Sequence, residues 1–301
     1  MPHPPPGVGP LNNPERQQKP GASLFWYARM RVRRIAVLVD GAFYLKRLPK
    51  LVEPQFCTTP KQVAESVRHM CKRHVLRLTH SDSTQDVEGR WLDHVYRLFF
   101  YDAQPYDGVH HHPTLNRGIE FDRTTVADFR RDLFAELRHK RKFALRLGHV
   151  VREGDWSLSP RLTRRVLRIA RWLDRSEAML QDGATSLPLN EVILSELREF
   201  VAAWRESGGR DVRINLRQKG VDMRIGLDIA SMTLKHQVDT IILVTGDSDF
   251  APAAKLARRE GVEFLLDPLW QRVSDELSEH VDGVISVFTR PVSETETLVA
   301  A

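Results

Sequence analysis

Three runs of consecutive apolar residues stand out from an otherwise mixed chain: Ile35 to Val39, Thr240 to Thr245 and Val262 to Leu266. Each is short, rich in β-branched residues or leucine, and nearly continuous rather than alternating. That is the pattern of a strand covered on both faces in a parallel sheet. His94 to Tyr101 and Phe143 to Val151 are weaker strand candidates, and Val284 to Phe288 is a last one. Between them the apolar positions recur at helical spacing over Lys61–Leu78, Phe121–Lys142, Arg161–Leu180, Glu191–Glu206, Asp222–Lys235 and Pro252–Glu260. The first of these follows Thr59-Pro60, a capping residue and a proline suited to a first turn. Strands alternating with helices predict an α/β fold with βαβ units around a mainly parallel sheet. The stretch from about 154 to 209 breaks the alternation with two helices and reads as a helical insertion. No internal repeat is visible.

The chain has 301 residues, enough for one sizeable core carrying an insertion. No apolar run approaches the roughly 20 residues that span a bilayer, so no membrane is expected as a partner. Met1 to Pro20 lacks the apolar centre of a signal peptide and is rich in Pro, Gly, Asn and Gln. Residues 1–33, ending in Arg29, Arg31 and Arg33, are expected to be a disordered, basic lead-in, 34–290 the folded domain, and 291–301 a flexible tail. The two cysteines, Cys57 and Cys71, make neither a disulfide framework nor a cysteine zinc site, which points to the cytoplasm. A net charge of +6 suits a polyanionic partner without demanding one.

Ligands of an open parallel sheet bind beyond the carboxyl ends of its strands, so the residues after each buried run matter most. Asp40-Gly41 follows the first run, and Thr245-Gly246-Asp247-Ser248-Asp249 follows the second. Asp222, in Lys219-Gly220-Val221-Asp222, opens the helix that leads into the second run and therefore starts at the same edge. Taken singly, Asp-Gly is a common turn, and Asp249 or Asp222 can simply cap a helix. Carboxylates converging from separate elements repel one another, and a hard divalent cation, Mg²⁺ or Mn²⁺, relieves that conflict through oxygen ligands. Such an ion activates water and stabilises charge developing on a phosphodiester. Asp40, Asp222 and Asp247 are the candidate metal ligands, with Asp249 completing the set or orienting the water. Thr245 and Ser248 would support them. Lys219 and backbone N–H groups near Ser248 and Asp249 are candidate phosphate donors. Asp228 lies six residues beyond Asp222, turned by about 240° and roughly 9 Å further along a helix, so it is expected to point elsewhere in a supporting role.

Arg161, Arg164, Arg165, Arg168, Arg171 and Arg175 fall on an arc of roughly 120° if their segment is helical. Asp174 is the only acid between Arg161 and Arg175. A charged stripe is often just a solvated face, yet spaced arginines also track a phosphate backbone. Trp156, Phe43 and Tyr44 are either core residues or platforms for bases. His110, His111 and His112 are flanked by glycine and proline and read as a solvated loop.

Three segments resemble the NYN domains, a branch of the PIN-like nuclease superfamily, and especially the LabA-like bacterial group. They are Val37-Leu38-Val39-Asp40-Gly41, Lys219-Gly220-Val221-Asp222 with the later Asp228, and Leu243-Val244-Thr245-Gly246-Asp247-Ser248-Asp249-Phe250. The resemblance extends through Pro252 to Asp267 and covers about Arg34 to Val287. It implies a Rossmann-like three-layer sandwich, metal-dependent cleavage of RNA, single-stranded by preference, and metal-binding acids at Asp40, Asp222 and Asp247. Family members often carry Asn shortly after the first Asp, where this chain has Ala42, Phe43 and Tyr44. That departure favours an alternative, an RNA-binding module without turnover. An aspartate-dependent phosphatase would need a second Asp two residues after the first, and Ala42 stands there. The pattern neither requires nor excludes a homo-oligomer.

Overall fold

The computed structural model describes residues 32–79, 89–181, 186, 189–206 and 211–291. The expectations for 1–31 and 292–301 lie outside the described residues. The chain divides into two units, Met1–Val32 and Arg33–Ala301, and the sheet belongs to the second.

In chain order the elements are β1 (Ile35–Asp40), α1 (Gly41–Arg47), α2 (Pro60–Thr79), β2 (Val95–Ala103), β3 (Val109–His112), β4 (Arg117–Glu120), α3 (Thr125–Arg138) and β5 (Phe143–Leu158). There follow α4 (Pro160–Gln181), α5 (Glu191–Glu206), β6 (Val212–Lys219), α6 (Val221–Leu234), β7 (Thr240–Val244), α7 (Ala251–Arg259), β8 (Glu263–Asp267), α8 (Asp275–Ser278) and β9 (Gly283–Val284). Seven strands form one sheet in the order β6-β5-β2-β1-β7-β8-β9, and β3 and β4 form a separate hairpin. Every pairing in the large sheet is parallel except β5 with β6.

The apolar run of β1 is continuous because both of its faces are covered. Ile35, Val37 and Val39 pack with α1, α2 and α3, while Ala36 and Leu38 pack with α6 and α7 on the other side. The result is a three-layer α/β sandwich. Burying one such aliphatic side chain contributes about 1.5–3 kcal/mol, so an unpaired charge within the run would be untenable. The acids appear only where the strands end.

Several elements differ from the sequence expectation, among them the last strand, which is Gly283–Val284 where Val284–Phe288 was expected. Phe121–Lys142 is not one helix: a 3-10 turn at Phe121–Arg123 precedes α3, whose first turn Thr124 caps by accepting from the Ala127 N–H (3.3 Å). The histidine run is no loop, because His110–His112 lie in β3, paired with Arg117–Ile119 of β4. The strand β6 was not anticipated, although Arg213, Asn215 and Arg217 alternate there with less exposed Ile214 and Leu216.

β5 is what shapes the space above the sheet. Its first half pairs with β2 and ends level with it, Gly148 opposite Ala103. Its second half continues past the carboxyl edge and pairs antiparallel with β6, through an irregularity between Arg152 and Trp156. Gly154 has a left-handed φ of 87° at that point. β6 descends along this ribbon and stops with Lys219 opposite His149, which delivers α6 to the edge of the sheet. The helices α4 and α5 occupy the connection between β5 and β6 and pack on each other. Among the described residues no helix is long and apolar enough to cross a membrane.

Candidate active site at the carboxyl edge of the sheet

Asp40 ends β1. Its Oδ1 accepts from the Phe43 N–H (3.1 Å) and so caps α1, while its Oδ2 accepts from the Thr245 hydroxyl (3.2 Å). Gly41 is required beside it, because a Cβ there would come within 2.6 Å of the Tyr101 carbonyl on the neighbouring strand. Asp222 sits in the first turn of α6. The residue that caps this helix, Gly220, has a left-handed φ of 75°, a conformation that favours glycine. Asp247 follows β7 and accepts from the Asp249 N–H at 3.0 Å, and its own N–H donates to the Thr245 hydroxyl at 3.3 Å.

Electrostatics tie these acids together. Burial pushes the Asp40 carboxyl up to about 6, against the bonds from Phe43 and Thr245, and the charges of Asp222 and Asp102 raise it further. Asp222 is raised by partial loss of hydration and then by Asp247 and Asp249, with Arg217 acting in the opposite sense. Asp222 is thus the link at this edge, acting on Asp40 on one side and acted on by Asp247 and Asp249 on the other. Among the described residues none of the four makes an ion pair. The donor set, hard oxygens with surplus negative charge and no cationic side chain paired to it, fits Mg²⁺ or Mn²⁺ in chemistry. In position it is looser: among the described residues no three carboxylate, imidazole or thiol groups are gathered into a ready cage for an ion.

Other predicted residues fall elsewhere. Asp228 accepts from the Tyr101 hydroxyl (2.9 Å) and from Arg146 Nε (3.0 Å), so it is bound into the face of the sheet rather than aimed at Asp222. Lys219 is paired with Glu153. The Asp249 N–H is taken by Asp247, which removes it as a phosphate donor in this conformation. Ser248 begins a 3-10 turn that leads into α7. The arginine stripe is not the unbroken positive face expected of it. Arg161 pairs with Glu206 (2.7 Å), Arg165 and Arg168 both pair with Glu199, and Arg164 donates to the Pro160 carbonyl. The neutralising acids belong to α5, which inspection of α4 alone could not show. The side chains of Arg171 and Arg175 lie outside the described residues. Tyr44 is fully buried with its hydroxyl on Ser66, so it is core and not a base platform. Phe43 packs against the same core.

Two acids at this edge were missed. Asp102, fully buried in β2, is paired with Arg130 and accepts from Gln218 Nε2 (3.1 Å) and the Ala103 N–H (2.8 Å). Burial nonetheless holds its carboxyl above the ordinary value. Asp267 ends β8, also fully buried, and is bonded to His74 Nε2 (2.8 Å), Ser286 Oγ (2.8 Å) and the Leu269 N–H (2.8 Å). Both follow apolar strand residues as Asp40 does, so the rule that found Asp40 would have found them.

The molecule is an α/β protein with a mostly parallel central sheet and acids at its carboxyl edge. Within it, residues 186–288 match the NYN domain family. The matched stretch contains Asp222, Asp228, Asp247 and Asp249, while Asp40 lies outside it. No curated protein matches the chain. A solved structure of a protein of unknown function from Vibrio parahaemolyticus is similar over 85% of this chain and 93% of its own, at 13% identity and a TM-score of 0.34. That likeness is too low to bear on fold or function.

Proposed function

We propose that the protein hydrolyses phosphodiester bonds of single-stranded RNA at the carboxyl edge of its sheet. Asp40, Asp222 and Asp247 would hold Mg²⁺ or Mn²⁺, and residues 34–290 would act as one nuclease domain with α4 and α5 as its helical insertion. The carrying observation is that Asp40 at the end of β1 and Asp222 in the first turn of α6 are both raised, Asp40 in part by Asp222 and Asp222 in part by Asp247 and Asp249, while Arg217 only partly opposes this. The NYN match over 186–288 supports the same reading, since that family implies an RNA substrate. When bound, the cation supplies neutralisation of these carboxylates and electrostatic activation of water and phosphate. The chain's own parts divide the remaining work. Thr245 holds one oxygen of Asp40 while Phe43 holds the other, which fixes the plane of that carboxylate. Asp249, exposed beside Asp247, is free to orient the attacking water and take its proton.

A second reading, RNA binding without turnover, rests on the first turn of α1. Ala42, Phe43 and Tyr44 present no polar side chain to the edge, since the Tyr44 hydroxyl is engaged with Ser66. A labelled single-stranded RNA incubated with Mn²⁺ separates the two. Cleavage that disappears with Asp247→Asn and with chelator supports hydrolysis. Cleavage that persists in either case refutes the assigned acids, and binding without cleavage under any divalent metal selects the second reading.

A further inference from the structure

Resting on the reading that this edge takes RNA, we propose that the cleft between the β3–β4 hairpin and the β5–β6 ribbon binds one unpaired nucleobase, through a base carbonyl that accepts from His112 Nε2. His112 ends β3 and is 1% exposed. Its Nδ1 accepts from the N–H groups of Thr114 (3.3 Å) and Leu115 (3.3 Å) in the turn that follows. A ring nitrogen that accepts carries no proton, so the neutral imidazole holds its proton on Nε2, which is then a donor. That Nε2 is buried and has no hydrogen-bond partner among the described residues. An unsatisfied buried donor is costly, and a ligand oxygen would remove the cost.

The space beside His112 suits such a ligand. It is a cleft of about 250 Å³ lined by Phe121, Trp156, Arg213, Ile214 and Leu216 as well as His112. A cavity of about 150 Å³ already admits a six-membered ring. The Trp156 ring lies 4.7 Å from the His112 ring. Largely apolar walls with aromatic rings, and with donors but no side-chain acceptor beside the His112 Nε2–H, favour a planar ring bearing a carbonyl, as in uracil or guanine, and disfavour adenine, which has none.

The cleft also adjoins a second cavity. A neighbouring cavity of about 400 Å³ shares Phe121 and Leu216 with it and extends to Arg130 and Gln218. Both of those side chains are bonded to Asp102, whose charge acts on Asp40. The His112 cleft and this neighbouring cavity thus adjoin, on the side of the sheet where Arg130 and Gln218 hold Asp102.

The test is binding of fluorescein-labelled oligouridylate and oligoadenylate to the full chain, followed by anisotropy in EDTA so that cleavage plays no part. The uridylate should bind roughly tenfold more tightly. Ile214→Trp, which fills the cleft without touching His112, should weaken uridylate binding by roughly tenfold. His112→Phe should erase the preference between the two oligomers, and thermal melting of each variant checks its fold. Equal binding of both oligomers by the wild type, or full uridylate binding by a folded Ile214→Trp variant, overturns the cleft whether or not the protein cleaves RNA. A His112-dependent preference in a protein that cleaves nothing with Mn²⁺ upholds the cleft and overturns the hydrolysis.

Discussion

The hydroxyl of Thr245 donates to Oδ2 of Asp40 across the ends of two adjacent parallel strands, at 3.2 Å. Thr245 is itself fully buried, so this bond is made away from competing water and favours the charged carboxylate. It helps to orient Asp40 and lowers its carboxyl against the larger upward effect of burial.

Thr245→Val should therefore raise the Asp40 carboxyl further above its value of about 6. A hydrogen bond to a charged group contributes about 1.5–3 kcal/mol. The acidic limb of the pH–rate profile for RNA hydrolysis should move upward and the rate at neutral pH fall roughly tenfold. Thr245→Ser keeps the hydroxyl and should retain the wild-type profile. An unmoved limb in the valine variant would show that the bond does not govern Asp40.

Asp40 also makes stability depend on pH. Its folded carboxyl titrates at about 6 against an ordinary value of 3.8. Between those values the folded state holds the proton more tightly than the unfolded one. Metal-free stability should thus decline as pH rises from about 4 to about 6, and level off above that. Asp40→Asn, which keeps an oxygen to cap α1, should lack this contribution and be more stable at pH 7 by about 2–3 kcal/mol. Urea melts in chelator across that range check it. Identical pH slopes in the two proteins would contradict the burial of this carboxyl.

Arg130 is the counter-ion of Asp102, which is 0% exposed. Arg130→Met would leave that carboxylate buried and uncompensated, and should cost about 3–5 kcal/mol. Adding Asp102→Asn should restore much of the loss, because the charge goes with its partner. Denaturant midpoints of the two singles and the double measure it, and strictly additive losses would argue against a direct pair.

The two thiols should differ in reactivity. Cys71 is fully buried on α2 and burial drives its thiol far above the ordinary value, while Cys57 is partly exposed. An alkylating reagent at pH 8 should label Cys57 in the native protein and reach Cys71 only after unfolding, as peptide mass mapping would show.

The central strands were legible because burial on both faces leaves an uninterrupted apolar run, and β1, β7 and β8 carry one each. The acids at the ends of β1 and β7 followed from strand direction alone. β6 was hidden because it is half exposed, so that Arg213, Asn215 and Arg217 broke up its apolar residues into something that reads as a loop. β3 was hidden for a related reason: its three histidines look solvated until His112 is seen against Trp156. The pairing of Arg165 and Arg168 with Glu199 depends on how two helices pack, information that neither helix carries by itself.

The two borders of the sheet are unalike, and both resist recruitment of a foreign strand. At one border β9 contributes only two residues, too short a template for another chain to zip onto. At the other, the exposed positions of β6 are the polar Arg213, Asn215 and Arg217, a poor template for a foreign strand. A sheet so guarded should stay dispersed at high concentration, even though the runs at its centre would aggregate if they were ever uncovered.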